Sequence, residues 1–174
     1  GATKLRTDSA KRLLESARIA VVRGNAGELA ALVGVSSEVR GVESIAASET
    51  PEEIAARFAS HYRCTTAITG SVDVVSDTAR MAKVSNGHAM MGKVVGTGCM
   101  ATVMIGAFAA VQPDAFTAAV GGLAAFGIAG ELAAEQSGDR PGTFHTLLYD
   151  ALYRICEDDI RSRARVLDFV SKTS

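Results

Sequence analysis

Three short segments carry the residue types that chemistry needs. Gly96-Thr97-Gly98-Cys99 is a tight glycine turn that runs straight into an apolar stretch. Arg23-Gly24-Asn25-Ala26-Gly27-Glu28 follows the apolar run 19–22, and Thr69-Gly70 closes the run 65–69. Glycines at 96 and 98 let the backbone bend sharply and approach a ligand closely. A helix beginning near Cys99 would leave several N–H groups free at its N-terminus. Those donors, with the helix dipole, favour a phosphate or a developing negative charge. The same residues also serve as an ordinary turn before a core helix, and the motif alone leaves both readings open. The chain contains no GxxxxGK[ST], which disfavours the common P-loop architecture.

The neighbouring side chains are equally two-sided. Cys99 is either a small apolar residue or, because helix N-termini favour thiolates, a base or nucleophile. His88 lies in a loop nearby and suits a supporting role better than that of a general base. Asn25 and Glu28 have the spacing of a helix cap and its third residue. They also have the chemistry to help hold a hydrated Mg²⁺, which uses few carboxylates and keeps waters. Arg23 offers a fixed-charge fork suited to phosphate, or an ordinary surface ion pair. Thr69 offers a hydroxyl to a nucleotide, or a plain exit from a strand.

These residues need elements to position them. Asp8-Ser9 predicts a helix over 10–17, and 19–22 predicts a short buried strand. A second helix is expected over 26–32. Thr50-Pro51-Glu52-Glu53 has the pattern of a capping box with proline at the first helical position. Residues 65–69 predict a strand, and 72–75 with 80–84 a hairpin around Ser76-Asp77-Thr78. The remainder reads as helical, ending in one long helix from Thr143 through the charged run 157–165. Strands separated by helices imply an α/β fold, with a largely parallel sheet between helices on both faces. Ligands in such sheets sit at the C-terminal ends of strands, where all three polar segments fall.

Composition narrows the functions. At 174 residues the chain is expected to be a single domain, 1–174, with a sizeable core. A net charge of -1 and 5% aromatic residues give no case for nucleic acid or an anionic membrane. Three widely spaced cysteines suggest neither a zinc site nor a disulfide framework, but a reduced, cytoplasmic chain. The apolar stretches 97–111 and 115–134 are expected to be buried helices rather than membrane spans; the second is interrupted by glycines and Glu131.

The segments 21–32, 67–77, 84–110, 126–135 and 141–153 together resemble the hydroxyethylthiazole kinase family of the ribokinase-like superfamily. The order is the same and nearly the whole chain is covered. The resemblance implies a three-layer ribokinase-like fold and ATP- and Mg²⁺-dependent phosphorylation of 4-methyl-5-(2-hydroxyethyl)thiazole, a step toward thiamine. It implies a homotrimer with active sites near subunit interfaces. By motif, Arg23 and Thr69 would contact ATP. Asn25 and Glu28 would organise Mg²⁺, and Gly96 would lie against the thiazole. Gly96, Thr97 and Gly98 would form the anion hole, with Cys99 as the base. The family's usual N-terminal segment, with its DPVG-type motif, has no counterpart in this sequence. The expectation is either that the sequence is truncated or that a separate polypeptide supplies that segment. The alternative function is a nucleotide-binding module, or inactive fragment of that fold, without turnover.

Overall fold

The computed structural model describes residues 3–34 and 49–170. Helix α1 spans Lys4–Ser16 and starts earlier than expected, because the Thr3 hydroxyl, rather than Asp8-Ser9, caps it by accepting from the Arg6 amide at 3.3 Å. Strand β1 is Val21–Gly24 and helix α2 is Ala26–Gly34. Helix α3, Pro51–Tyr62, has the predicted capping box: Glu53 N–H donates to Thr50 Oγ1 at 3.3 Å, and Thr50 N–H donates to Glu53 Oε2 at 2.8 Å. Its Ile54, Ala55, Phe58 and Ala59 are buried, one face of the helix as the sequence spacing required. Strands β2 (Thr65–Ile68), β3 (Asp73–Ser76) and β4 (Arg80–Val84) follow, then a 3₁₀ turn at Ala89–Lys93.

Helices α4 (Thr97–Ala109) and α5 (Ala115–Ser137) come next. The single long final helix that the sequence suggested is divided. Helix α6 ends at Arg154, having begun at Pro141, and α7 covers Glu157–Arg163. The break falls at Ile155-Cys156, where the Cys156 amide donates to Asp159 Oδ2 at 3.0 Å and opens a new helix. The last described residues then leave helix altogether: β5, Val166–Val170, pairs antiparallel with β4.

The sheet order is β1-β2-β3-β4-β5. The expectation of a largely parallel sheet is corrected for these strands. β1 and β2 are parallel, whereas β2–β3, β3–β4 and β4–β5 are antiparallel. Connection length explains the first two of those reversals. A parallel pairing needs a crossover of about a dozen residues or more, and the links after β2 and β3 are short turns.

Helices cover both faces, as the three-layer reading required. Alternation along each strand divides the core. Ile68 and Val74 meet Leu29, Ile54 and Phe58 on one side. Ala67, Val75, Ala82 and Val84 meet Ile105, Leu123, Phe126 and Phe144 on the other. Helix α5 is long and apolar enough to cross a membrane, but 67% of its most apolar stretch is buried inside the protein. Its N-terminus is tied to the sheet. Asp114 caps α5 at the Thr117 amide and takes two hydrogen bonds from Arg80, at 2.7 and 2.9 Å. The Arg80 bonds, then those from Thr117, hold the Asp114 carboxyl well below the usual range.

Helices α4 and α5 cross at very short range. A Cβ placed on Gly122 would lie 2.8 Å from the Ile105 Cα, a backbone atom that cannot step aside alone. Gly122→Ala is therefore expected to part the two helices and destabilise the fold by about 1–3 kcal/mol. At roughly 2–4 °C per kcal/mol for a chain of this size, thermal unfolding should report the loss directly.

Candidate functional site

A cleft of about 580 Å³ opens where β1, β2 and β4 end and β3 begins. Its walls are the residues after β1 and β2, the loop 86–92, the first turn of α4 and the middle of α5. Arg23, Asn25, Thr69, Thr97 and Gly98 all line it. Residues from three separate stretches of sequence thus converge on one space.

Arg23 is the centre of that convergence. It stands on β1, parallel to and paired with Ala67 of β2, so its side chain reaches the residue that leaves β2. Its Nη2 donates to Thr69 Oγ1. The Thr69 amide in turn donates to the Gly24 carbonyl at 2.9 Å, extending the β1–β2 ladder to the cleft. The guanidinium's Nη edge also presses against Gly98: a Cβ there would be 2.7 Å from Nη1 and 2.9 Å from Nη2. Arg23 Nε is buried with no hydrogen-bond partner among the described residues. A guanidinium with an unused donor, set at a helix N-terminus, is a site for an anion.

The GTGC turn forms the N-terminus of α4. Gly96 caps α4 with φ +97°, a left-handed conformation that glycine adopts without strain. The helix begins at Thr97, two residues before the expected start, and its first N–H groups have no intrahelical acceptor. The Thr97 hydroxyl donates to the Met91 carbonyl at 3.1 Å and pins the turn to the preceding segment. Gly96 and Cys99 do not line the cleft; Cys99 is exposed, in the first turn of α4. Glu28 is likewise beyond the lining but is locked to Asn25. The Asn25 amide donates to Glu28 Oε2 at 2.9 Å, and the Glu28 amide donates to Asn25 Oδ1 at 2.8 Å.

Sequence reasoning missed two carboxylates. Asp73, the first residue of β3, lines the cleft. Burial pushes its carboxyl up to about 6, against the opposing pull of the Gly70 amide and of Arg23. The signal in the sequence was an acidic residue at the head of an otherwise apolar strand, four positions after Thr69. The second is Glu131 on α5. Its Oε1 accepts from the Gly87 amide at 2.8 Å, from Asn86 Nδ2 at 3.2 Å and from Arg165 Nη2 at 2.5 Å. Asn86 also accepts from the Arg165 amide at 2.7 Å. This network clamps the loop 86–88 between α5 and the residues before β5. His88 has the supporting role expected of it: its Nδ1 accepts from the Met90 amide at 3.2 Å and caps the 3₁₀ turn.

A model of the hydroxyethylthiazole kinase family matches residues 1–158. A hydroxyethylthiazole kinase of Roseiflexus sp. (strain RS-1) is 48% identical over 168 residues, 97% of this chain and 62% of that protein. One from Chloroflexus aggregans is 45% identical over the whole chain, again 62% of the relative. A solved structure of the hydroxyethylthiazole kinase protein from Pyrococcus horikoshii OT3 superposes with a TM-score of 0.85 at 41% identity, covering 97% of this chain and 62% of the other. The chain thus spans less than two thirds of the length of these relatives.

The Glu131 clamp has a pH signature. Burial alone would raise its carboxyl, but the Gly87 amide, Arg165 and Asn86 outweigh burial and lower it. A depressed carboxyl contributes stability above its unfolded value, about 4.3, and loses it as pH falls through the folded one. Glu131→Ala removes the shared acceptor of three donors, the Gly87 amide, Asn86 Nδ2 and the Arg165 guanidinium, and should cost about 1–3 kcal/mol at pH 7. In urea unfolding series, that difference from wild type should shrink steadily below about pH 4.

Proposed function

The chain belongs to the hydroxyethylthiazole kinase family, and from that premise we propose that it transfers a phosphoryl group from ATP to the hydroxyl of 4-methyl-5-(2-hydroxyethyl)thiazole, a step of thiamine biosynthesis or salvage. The observation that carries the reading is the meeting of Arg23, Thr69 and the N-terminus of α4 in one cleft. Phosphoryl transfer asks a protein for alignment and charge stabilisation more than for covalent chemistry. Arg23 and Thr69 hold the phosphates of ATP, and the buried Nε of Arg23 is a donor in reserve for them. The free amides of the turn 96–98 face the charge that develops on the transferring group.

Asn25 and Glu28 are the residues that would hold Mg²⁺. One carboxylate and one amide oxygen fit an ion that keeps several waters and takes its other ligands from phosphates. Among the described residues, no group of three or more His, Cys, Asp or Glu forms a rival metal site. When bound, the ion would offset charge on the β- and γ-phosphates.

Gly96 lies against the thiazole and Cys99 takes or positions the proton of its hydroxyl, on the outer side of the turn. That side faces a surface unusual for a core helix. Val95, Val103 and Val111, in and around α4, are 92%, 70% and 85% exposed. A homotrimer that brings a neighbour, or an N-terminal segment of the protein, over this surface would complete the thiazole pocket. Cys64, Cys99 and Cys156 are free thiols, which fits a reducing cytoplasm.

The deciding assay incubates the protein with Mg²⁺, ATP and the thiazole, follows ADP, and identifies the phosphorylated thiazole by mass spectrometry. Tight ATP binding with no product, in a preparation that includes any N-terminal segment, would make it a binding module instead. Two variants probe the site. Gly98→Ala displaces only the flexible end of Arg23, so it should leave the melting temperature nearly unchanged while weakening ATP binding about tenfold, or roughly 1.4 kcal/mol. Cys99→Asp should keep or raise turnover, since a carboxylate is ionised at neutral pH; loss of all activity in a folded variant would remove Cys99 as base.

A further inference from the structure

Asp73 is a half-buried carboxylate in a cleft otherwise built to attract anions, and phosphoryl transfer as outlined gives it no task. An acid is an expensive side chain there. It faces the space that phosphates are to occupy, and it loses water without a full set of partners. Its placement shows what it does instead. Asp73 Oδ1 accepts the Gly70 amide at 2.9 Å and so closes the link from β2 to β3. Ser71 and Val72, between them, are exposed and give the link no packing of its own. Thr69, the residue just before the bond, is the acceptor for Arg23.

We propose that Asp73 is a positioning residue: by accepting the Gly70 amide it holds Thr69 and, through Thr69, Arg23 in the arrangement that receives the phosphates of ATP. The inference rests on the ATP reading above. It assigns the role to the hydrogen bond and not to the charge. A negative charge beside phosphates opposes binding, so the acceptor oxygen must be what the site retains Asp73 for. The raised carboxyl is consistent with this: the side chain keeps a form that its surroundings disfavour.

The two contributions separate by substitution. Asp73→Asn keeps an acceptor for Gly70 and removes the charge, whereas Asp73→Ala removes both. Each is purified as the full chain beside wild type, with ATP dissociation constants from calorimetry in Mg²⁺, the KM for the thiazole, and the melting temperature. Asp73→Ala is expected to weaken ATP at least tenfold with the thiazole KM within about twofold of wild type. Asp73→Asn is expected to bind ATP within threefold of wild type and to melt no lower. Wild-type affinity in Asp73→Ala would overturn the proposal. So would an Asp73→Asn as weak as Asp73→Ala, which would assign the role to charge. Parallel loss of ATP affinity, thiazole KM and melting temperature in Asp73→Ala would reduce the residue to scaffolding and also overturn it. Wild type that binds no ATP would remove the kinase reading itself, a result distinct from the other three.

Discussion

The arrangement depends on how closely other backbone segments can approach α5. This helix runs through the middle of its layer, and three neighbours meet it at glycine. At Gly122 it is crossed by α4, at Gly127 it is met by Asn86, and at Gly130 by Met91. A Cβ at Gly127 would lie 2.6 Å from the Asn86 carbonyl carbon. The first contact sets where α4 lies and the second sets where the loop 86–88 lies. Both are walls of the cleft. Glycine weakens a helix by roughly 1 kcal/mol relative to alanine. Here that penalty is offset by close packing and by the Glu131 clamp one turn further on.

Much of this was legible in the sequence, for local reasons. The capping box of α3 was readable because it is closed within four residues. The β3–β4 hairpin was readable because its turn chemistry is local. The convergence of Arg23, Asn25 and Thr69 followed from a rule about strand ends, whereas Thr97 and Gly98 reach the same cleft from behind the 3₁₀ turn 89–93 and not from the end of a strand. What failed was non-local. The direction of β3 depends on connection length, and the existence of β5, which the sequence reading did not foresee, depends on the β4 edge it finds beside it. The division of the last helix turned on a weak cap, Cys156, inside a segment whose charges suit a helix throughout. Asp73 was passed over because it looks like a solvated acid at the head of a strand, and Glu131 was read only as a break in an apolar run because its partners Asn86, Gly87 and Arg165 lie more than thirty residues away in sequence.

The electrostatics of the cleft follow from the same geometry. Arg23 is a cation held at the positive end of α4, a location that repels it. The Thr69 hydroxyl is a neutral partner and cannot balance the charge. The position is tolerable because the guanidinium keeps its hydrogen bond to Thr69 and opens onto the cleft. Two positive features pressed together without a full counter-charge form a site that gains most when phosphate arrives.

Cys99 fits this logic better than it fits covalent catalysis. Its α-carbon belongs to the same first turn whose amides face the cleft, yet its side chain emerges on the exposed side. Among the described residues no histidine hydrogen-bonds to it, and the nearest loop histidine, His88, is spent on capping. A thiol so placed has no built-in base to make it a nucleophile. A residue that straddles the anion cradle and the outer face can still join a substrate hydroxyl to the phosphates. That requires the hydroxyl to arrive from the outer face, through the apolar surface around α4. In the proposed reaction the two substrates would meet across a single helical turn, nucleotide on the cleft side and alcohol on the other. Glycines at 96 and 98 leave two positions of that turn without side chains.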